Sequence, residues 1–340
     1  MPRTHRNEIN KEIAMKFTRR YVLGSTLSAL ATLTFAAALP SFAQSEKLTK
    51  LILPFAAGSG VDVITRASSK SLAAALGGAV VIDNQPGAGG IVGTSALVKS
   101  APDGATLSVV SNNHVIYPSV YKSLPFDPIH DITPIAIMGT TPMVLVVNPK
   151  VSAQNSKELI ALLKAKPDAM NYASSGNGTI LHLAAEMFLD EAGVKAKHIP
   201  YKGVGPMITD LIGGQVEFGV LALPAIQAHL KSGALRAIGT SSKARLAAAP
   251  EIPTFAEQGL PNYIVEGWFA VIGPKNLPAT EVRRVHAAFT TAFASAEVKE
   301  TMNKQGNNIA ISTPEAATAF FKSEMEKYAK LVKNAGVKLD

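Results

Sequence analysis

Short apolar, β-branched runs alternate along the chain with longer segments of Ala, Leu and Lys whose apolar positions recur every third or fourth residue. The first kind reads as buried strands and the second as amphipathic helices. On this pattern strands are expected at 50–54, 79–84, 106–111, 135–139, 170–172, 197–201, 215–221 and 235–241. Helices are expected at 63–76, 90–100, 156–166, 180–192 and 203–212. Such alternation predicts an α/β fold on parallel sheets, with ligand sites beyond the carboxyl ends of the strands. Two other apolar runs, 143–149 and 268–274, each lead from one series of alternating units to another, as crossover strands between two lobes do. The expected organisation is lobe 1 from 44–147 plus 270–340 and lobe 2 from 148–269, with amphipathic helices at 280–295 and 314–335 closing the first. Two sequential domains are the alternative, but no Pro/Gly/Ser-rich linker separates any two segments.

Two of the strand-to-helix junctions are built from small residues. One runs Phe55, Ala56, Ala57, Gly58, Ser59, Gly60, Val61, Asp62; the other runs Ala173, Ser174, Ser175, Gly176, Asn177, Gly178, Thr179. Glycine lets the backbone turn tightly and approach a ligand, and the first turn of the next helix offers unpaired N–H groups at its positive dipole end. Each loop is therefore shaped to hold an anion, and the pair predicts a ligand gripped from two sides. Ser59, Ser174, Ser175 and Thr179 add hydroxyl groups.

The remaining candidates have two readings each. Asp62 either caps and charge-balances its helix or touches ligand. His182 is either a packed helix histidine or a ligand group, and no carboxylate close in sequence is expected to orient it. Asn112, Asn113 and His114 follow a strand end and either line the cleft or belong to a turn. A serine hydrolase would need Ser175 or a neighbour activated by His182. The G-x-S-x-G spacing of a nucleophile elbow is missing, which makes it the weaker alternative. Gly87, Ala88, Gly89 and Gly90 lack dinucleotide-loop spacing and read as a turn and helix start; no cofactor is expected.

The N-terminus sets the compartment. Lys16, Arg19 and Arg20 precede an uncharged, largely apolar run at 21–39, and Ser41, Phe42 and Ala43 supply the small residues of a cleavage site. Residues 1–43 therefore read as a secretory signal peptide, with the mature chain in the periplasm. A membrane anchor is the alternative, weakened by Gly24, Ser25, Thr26 and Ser28. Thr18 to Leu23 resembles a twin-arginine signal, the ordinary Sec route being the other possibility, and Met15 offers a second start. The leader's six cations outweigh its two carboxylates, so the mature chain carries +4 rather than +8. That charge is not gathered into basic runs interleaved with aromatics, and it argues for an anionic ligand rather than nucleic acid. A cysteine count of zero excludes thiol catalysis, disulfides and cysteine metal sites.

The mature chain resembles the Bug family, the solute receptors of tripartite tricarboxylate transporters. The resemblance rests on seven collinear motifs: Leu51 to Asp62, Asp83 to Gly90, Ala101-Pro102-Asp103-Gly104, Leu124-Pro125-Phe126-Asp127-Pro128, Asn171 to Thr179, His198-Ile199-Pro200-Tyr201-Lys202-Gly203, and Asp210 to Val216. It implies a monomeric two-lobed periplasmic-binding-protein (Venus flytrap) fold without catalytic activity. A small carboxylated solute would be held between the lobes by backbone N–H groups, hydroxyls and water at 55–60 and 174–179, with Tyr201 close by. Integral-membrane transporter subunits would be the partners, or a sensor protein if the clamshell serves signalling instead. One departure bears on specificity. Many members carry an acidic and amide pair after Gly-Gly-Gln-Val, where this chain has Leu221 and Ala222. If that segment reaches the cleft, the site loses an anion, disfavours an ammonium group and suits a carboxylate with a neutral body.

Overall fold

The computed structural model describes residues 48–334, so the expected leader at 1–43 lies outside the described residues. In chain order the elements of the first part are β1 (Thr49–Leu53), α1 (Gly60–Leu76), β2 (Val80–Asn84), α2 (Ile91–Val98), β3 (Thr106–Ser111), α3 (Asn113–Val120) and β4 (Ile132–Val147). There follow α4 (Ser156–Ala165), β5 (Asn171–Ser174), α5 (Ile180–Ala192), β6 (Lys197–Pro200), α6 (Val204–Gly213), β7 (Phe218–Ala222), α7 (Leu223–Lys231) and β8 (Arg236–Thr240). The chain closes with β9 (Glu266–Pro274), α8 (Ala279–Ala294), α9 (Ala296–Lys304), β10 (Asn308–Ile309) and α10 (Pro314–Asn334).

The alternation expected from sequence produces two parallel strand sets. β1 pairs in parallel with β2 and β3, and β5 pairs in parallel with β6 and β7. Between them, β4 and β9 run antiparallel to each other, giving the order β2-β1-β3-β9-β4-β7-β5-β6. β4 belongs to both sets: residues 132–142 pair with β9, and residues 143–147 pair with β7 and β8. The return passes from β8 to β9 where the Val265 N–H bonds the Ser241 carbonyl at 3.1 Å.

The sequence pattern divides β4 into runs at 135–139 and 143–149, whereas the structure forms one strand with register shifts after Pro134 and Ile137. These irregularities bend the strand without ending it. Gly139 sits at the second, where β10 approaches so closely that the Asn308 carbonyl leaves no room for a Cβ.

Each set buries one face of its helices. α1 begins at Ser59, whose Oγ accepts the Asp62 N–H at 3.2 Å, and ends at left-handed Gly77. With α8 and α9 it covers a core containing Leu51, Leu107, Phe289 and Phe293. In the second set, helices α5 and α6 bury Phe188 and Met207 with Tyr172 and Phe218. α10 returns to pack on α3, with Phe321 and Tyr328 in the same core as Val115 and Trp268.

Three helices lie outside the expected set. The turn reading of Asn112, Asn113 and His114 is corrected: Asn112 has helical φ and ψ, and the other two open α3. α3 is only eight residues long and contains Pro118, which hides its period. α7 follows β7 with no loop, its first turn set by Pro224. α9 starts where α8 stops, with Ser295 ending one and capping the other. Among the described residues no helix is long and apolar enough to cross a membrane.

Candidate functional site

Four loops that leave the carboxyl ends of β1, β2, β5 and β6 face one another around a cavity of about 560 Å³. Its walls come from 54–56, 86–90, 175–177, Thr179 and 200–204, with Asn113 and Tyr121 between them. A second cavity of about 60 Å³ adjoins it, and Phe55, Asn113, Ser175 and Val204 line both. The position is that expected of ligand sites in parallel α/β sheets.

Several helix starts reach the smaller cavity, those of α1 and α5 with two or more residues each. Ser59, Gly60 and Val61 reach it from the start of α1, and Ile180 and Leu181 from the start of α5. First-turn N–H groups have no intrahelical acceptor. Three of them are satisfied by side chains, Asp62 by Ser59 Oγ, Ile180 by Asn113 Oδ1 at 2.9 Å and His182 by Thr179 Oγ1 at 3.4 Å. Each N-terminus favours an anion by roughly 0.3 to 2 kcal/mol. No Asp, Glu, Lys, Arg or His lines this cavity, and the larger one has a single cation, Lys202, and no carboxylate. The walls of the smaller cavity include Met143, Leu221, Ala222 and Trp268, and its buried Thr141 hydroxyl has no hydrogen-bond partner.

The structure distributes the sixteen sequence candidates as follows. Phe55, Ser175, Gly176, Asn177, Thr179 and Tyr201 line the larger cavity. Phe55, Ser59, Gly60, Asn112, Ser175 and Leu221 line the smaller. Ala57, Gly58, Asp62, Ser174, Gly178 and His182 line neither. Tyr201 turns its hydroxyl to Asp210 Oδ2 at 2.8 Å, and burial together with that carboxylate pushes its pKa up to about 12. Asn112 spends its amide on the Glu266 carbonyl, the Tyr328 hydroxyl and the Trp268 N–H.

Asp62 is committed elsewhere. Its carboxylate accepts from the Gly58 N–H, Arg66 Nε and Asn84 Nδ2 at 2.9 to 3.0 Å. Burial alone would raise its pKa, but the hydrogen bonds from Arg66, Gly58 and Asn84 and the Arg66 charge outweigh burial and hold it below the usual carboxylate range. Ionised Asp62 thus fixes the first loop through Gly58.

Sequence reasoning brought Asn113 to the cleft without a partner for it, and missed the 86–90 wall. Asn113 Nδ2 and the Tyr117 hydroxyl both donate to the Gly89 carbonyl. Gly87, Gly89 and Gly90 all have positive φ, and Tyr117 occupies the space a Cβ at Gly90 would need. That glycine run was the available signal.

Behind the second loop lies a cluster of titratable rings. His182 Nε2 is 3.8 Å from Glu186 Oε1, so the expectation of no nearby carboxylate is corrected: Glu186 sits one helical turn on. The Tyr172 hydroxyl donates to the same Glu186 oxygen. Burial would raise the Glu186 pKa, but the adjacent His182 ring and the Tyr172 hydrogen bond lower it overall. His198 stacks against both Tyr172 and His182, with ring centroids 4.8 and 3.8 Å away. Its pKa is lowered to about 4, by burial first and then by the His182 charge. Its Nε2 meets Ser174 Oγ at 2.6 Å, and Ser174 is fully buried. Ser175 Oγ instead donates to Thr179 Oγ1 at 3.2 Å.

Residues 64–337 match the family model of the tripartite tricarboxylate transporter family receptor. Protein BugT of Bordetella pertussis is 35% identical over 312 residues, covering 91% of this chain and 96% of that protein. The solved periplasmic binding protein BugD is 30% identical, with a TM-score of 0.82 over 86% of this chain and 98% of its own. An R. palustris protein solved with adipate is 27% identical, with a TM-score of 0.83 over 88% of this chain and all of its own. Together with the shared strand β4, these likenesses make the fold a two-lobed periplasmic-binding-protein fold.

Proposed function

The chain belongs to the tripartite tricarboxylate transporter receptor family, and on that premise we propose that its solute places one carboxylate in the smaller cavity, between the opposed N-termini of α1 and α5. Solute binding is the family's role and the role of this protein. One observation carries the placement: the N-termini of α1 and α5, among other helix starts, meet in a cavity that no charged side chain lines. Neutral N–H donors, the Ser59 and Thr141 hydroxyls and bridging water then supply the anion's hydrogen bonds.

The lobes are 44–147 plus 270–340 and 148–269. The pairing of 132–142 with β9 and the parallel β5, β6, β7 unit support that division. Contacts across the cleft support a clamshell that closes on its solute: Gly203 lies against Ala56, and Gly178 against Val120. The closed form is the shape an integral-membrane transporter partner reads, and the receptor acts as a monomer after export and cleavage near Ala43.

The solute is a carboxylate without an ammonium group. Neither cavity offers an Asp or Glu to pair one, and Leu221 and Ala222 face the smaller cavity where an acidic and amide pair would stand. Adipate, bound by the R. palustris relative, fits that description. Binding without turnover is favoured because Ser174, the serine that meets a histidine, lines neither cavity.

A thermal-shift screen of the mature protein against dicarboxylates, tricarboxylates, aromatic acids and amino acids tests the reading. A ligand that binds only the folded state raises Tm. A rise with one class of acid supports the placement and identifies the class; no rise with any acid removes the carboxylate.

A further inference from the structure

We propose that His182 is a positioning residue that sets Gly178 in the second ligand loop, and that adding a proton to its ring releases the loop. The inference rests on the reading of 174–179 as a ligand loop. The Gly178 N–H donates to His182 Nδ1 at 3.0 Å. A backbone N–H can only donate, so Nδ1 carries no proton and the neutral ring keeps its proton on Nε2, the nitrogen 3.8 Å from Glu186. A second ring proton has only Nδ1 to occupy. There it meets the Gly178 N–H donor to donor, and the bond is lost.

The geometry makes that loss matter at the cleft. Gly178 is left-handed, with φ of 67°, and packs so tightly on Val120 of α3 that a Cβ would collide. The other end of the loop is braced through the same stack. His198 lies 3.8 Å from His182 at an interplanar angle of 10°, and it holds Ser174 Oγ, which bonds both the N–H and the carbonyl of Gly176. Two parallel rings so close do not both carry charge. The groups facing His182 are Tyr172 from β5, His198 from β6 and Glu186 from its own helix. Asp168, Asp190 and Lys195 border the surface hollow that Glu186 lines.

The test follows the Gly178 amide and the His182 ring nitrogens by NMR in the unliganded mature protein, from about pH 8 to about pH 4, the span of histidine titrations. The Gly178 amide is expected to shift and lose exchange protection as the ring titrates. In His182→Asn the Oδ1 accepts the same N–H and does not titrate, so Gly178 should stay fixed through the range. Adipate itself takes up protons toward the acid end, so the two proteins are compared at each pH: the wild type should lose about tenfold more affinity in acid than His182→Asn, the scale of one lost hydrogen bond. If adipate fails to bind at any pH while Gly178 follows the ring, the brace stands and the adipate reading falls. A Gly178 amide that ignores the ring titration, or moves alike in His182→Asn, overturns the proposal.

Discussion

Asn113 Oδ1 accepts the Ile180 N–H at 2.9 Å, tying α3 to the first residue of α5 across 67 positions of sequence. The same side chain donates to the Gly89 carbonyl at 3.0 Å. An amide suits both partners because it offers a donor and an acceptor on one rigid group. Since the bond links the two sides of the cleft, Asn113→Ala should weaken solute binding about five- to thirtyfold, the range of one or two buried hydrogen bonds. Asn113→Asp should be worse, because its charge faces the anion. Isothermal titration calorimetry decides: unchanged affinity in Asn113→Ala would remove this bridge from closure.

Gly60 opens α1 directly against Ala222 of β7, and a Cβ added at Gly60 would lie 2.8 Å from the Ala222 Cβ. Gly60 is not among the positive-φ glycines, so its backbone accepts alanine and the obstacle is the opposite wall alone. Gly60→Ala should keep Tm within a few degrees yet lower solute affinity at least about tenfold, because overpacking costs on the order of 1 to 3 kcal/mol. Gly60→Ala with Ala222→Gly restores the space and should recover most of the loss. A double variant no better than the single would place the effect in the loop itself.

Much of this site was legible because its chemistry is backbone chemistry. The small-residue spacing after two strands marked the loops that bring Ser59, Gly60, Ser175, Gly176, Asn177 and Thr179 to the cavities. Asn113 was legible as a cleft residue but not in its role: a short helix containing Pro118 has no readable period, and the bond to Ile180 is a tertiary contact. Asp62 shows the opposite limit. Its position beside a ligand loop was readable, but Gly58, Arg66 and Asn84 already occupy its carboxylate. The single strand β4 escaped the pattern because Pro134 and Gly139 look like ends when they are bulges.

Aspartate is succinate with an ammonium group added, so the two acids isolate what the cavities reject. With no Asp or Glu in either lining, the ammonium loses water and gains no ion-pair partner. Aspartate should therefore bind at least about tenfold more weakly than succinate, or raise Tm less at equal concentration. Leu221→Asp with Ala222→Asn should weaken succinate, since a carboxylate at 221 repels the solute in the same cavity. Leu221 is fully buried, so the variant's Tm is measured alongside. Equal shifts for aspartate and succinate in the wild type would contradict the class assigned to the solute.

His114 and His198 both have their pKa lowered to about 4, from an ordinary value of 6.5, chiefly by burial. Folding keeps both rings neutral, whereas the unfolded chain takes up their protons near pH 6.5. The unfolded state therefore binds more protons between the two values, and unfolding free energy falls as pH drops from 6.5 toward about 4. The slope should be about 1 to 2 kcal/mol per pH unit for the two rings together, His198 counting for less because it is only partly buried. Asp62 and Asp127, whose pKa values are lowered, keep their contribution in this window and lose it only in stronger acid. Urea unfolding at successive pH values measures the slope. His114→Gln, which retains an amide donor toward the Pro128 carbonyl that His114 Nε2 meets at 2.7 Å, should remove about half of it or more, because His114 is the more buried ring. An unchanged slope in that variant would mean that His114 takes up its proton as readily in the folded protein as in the unfolded chain.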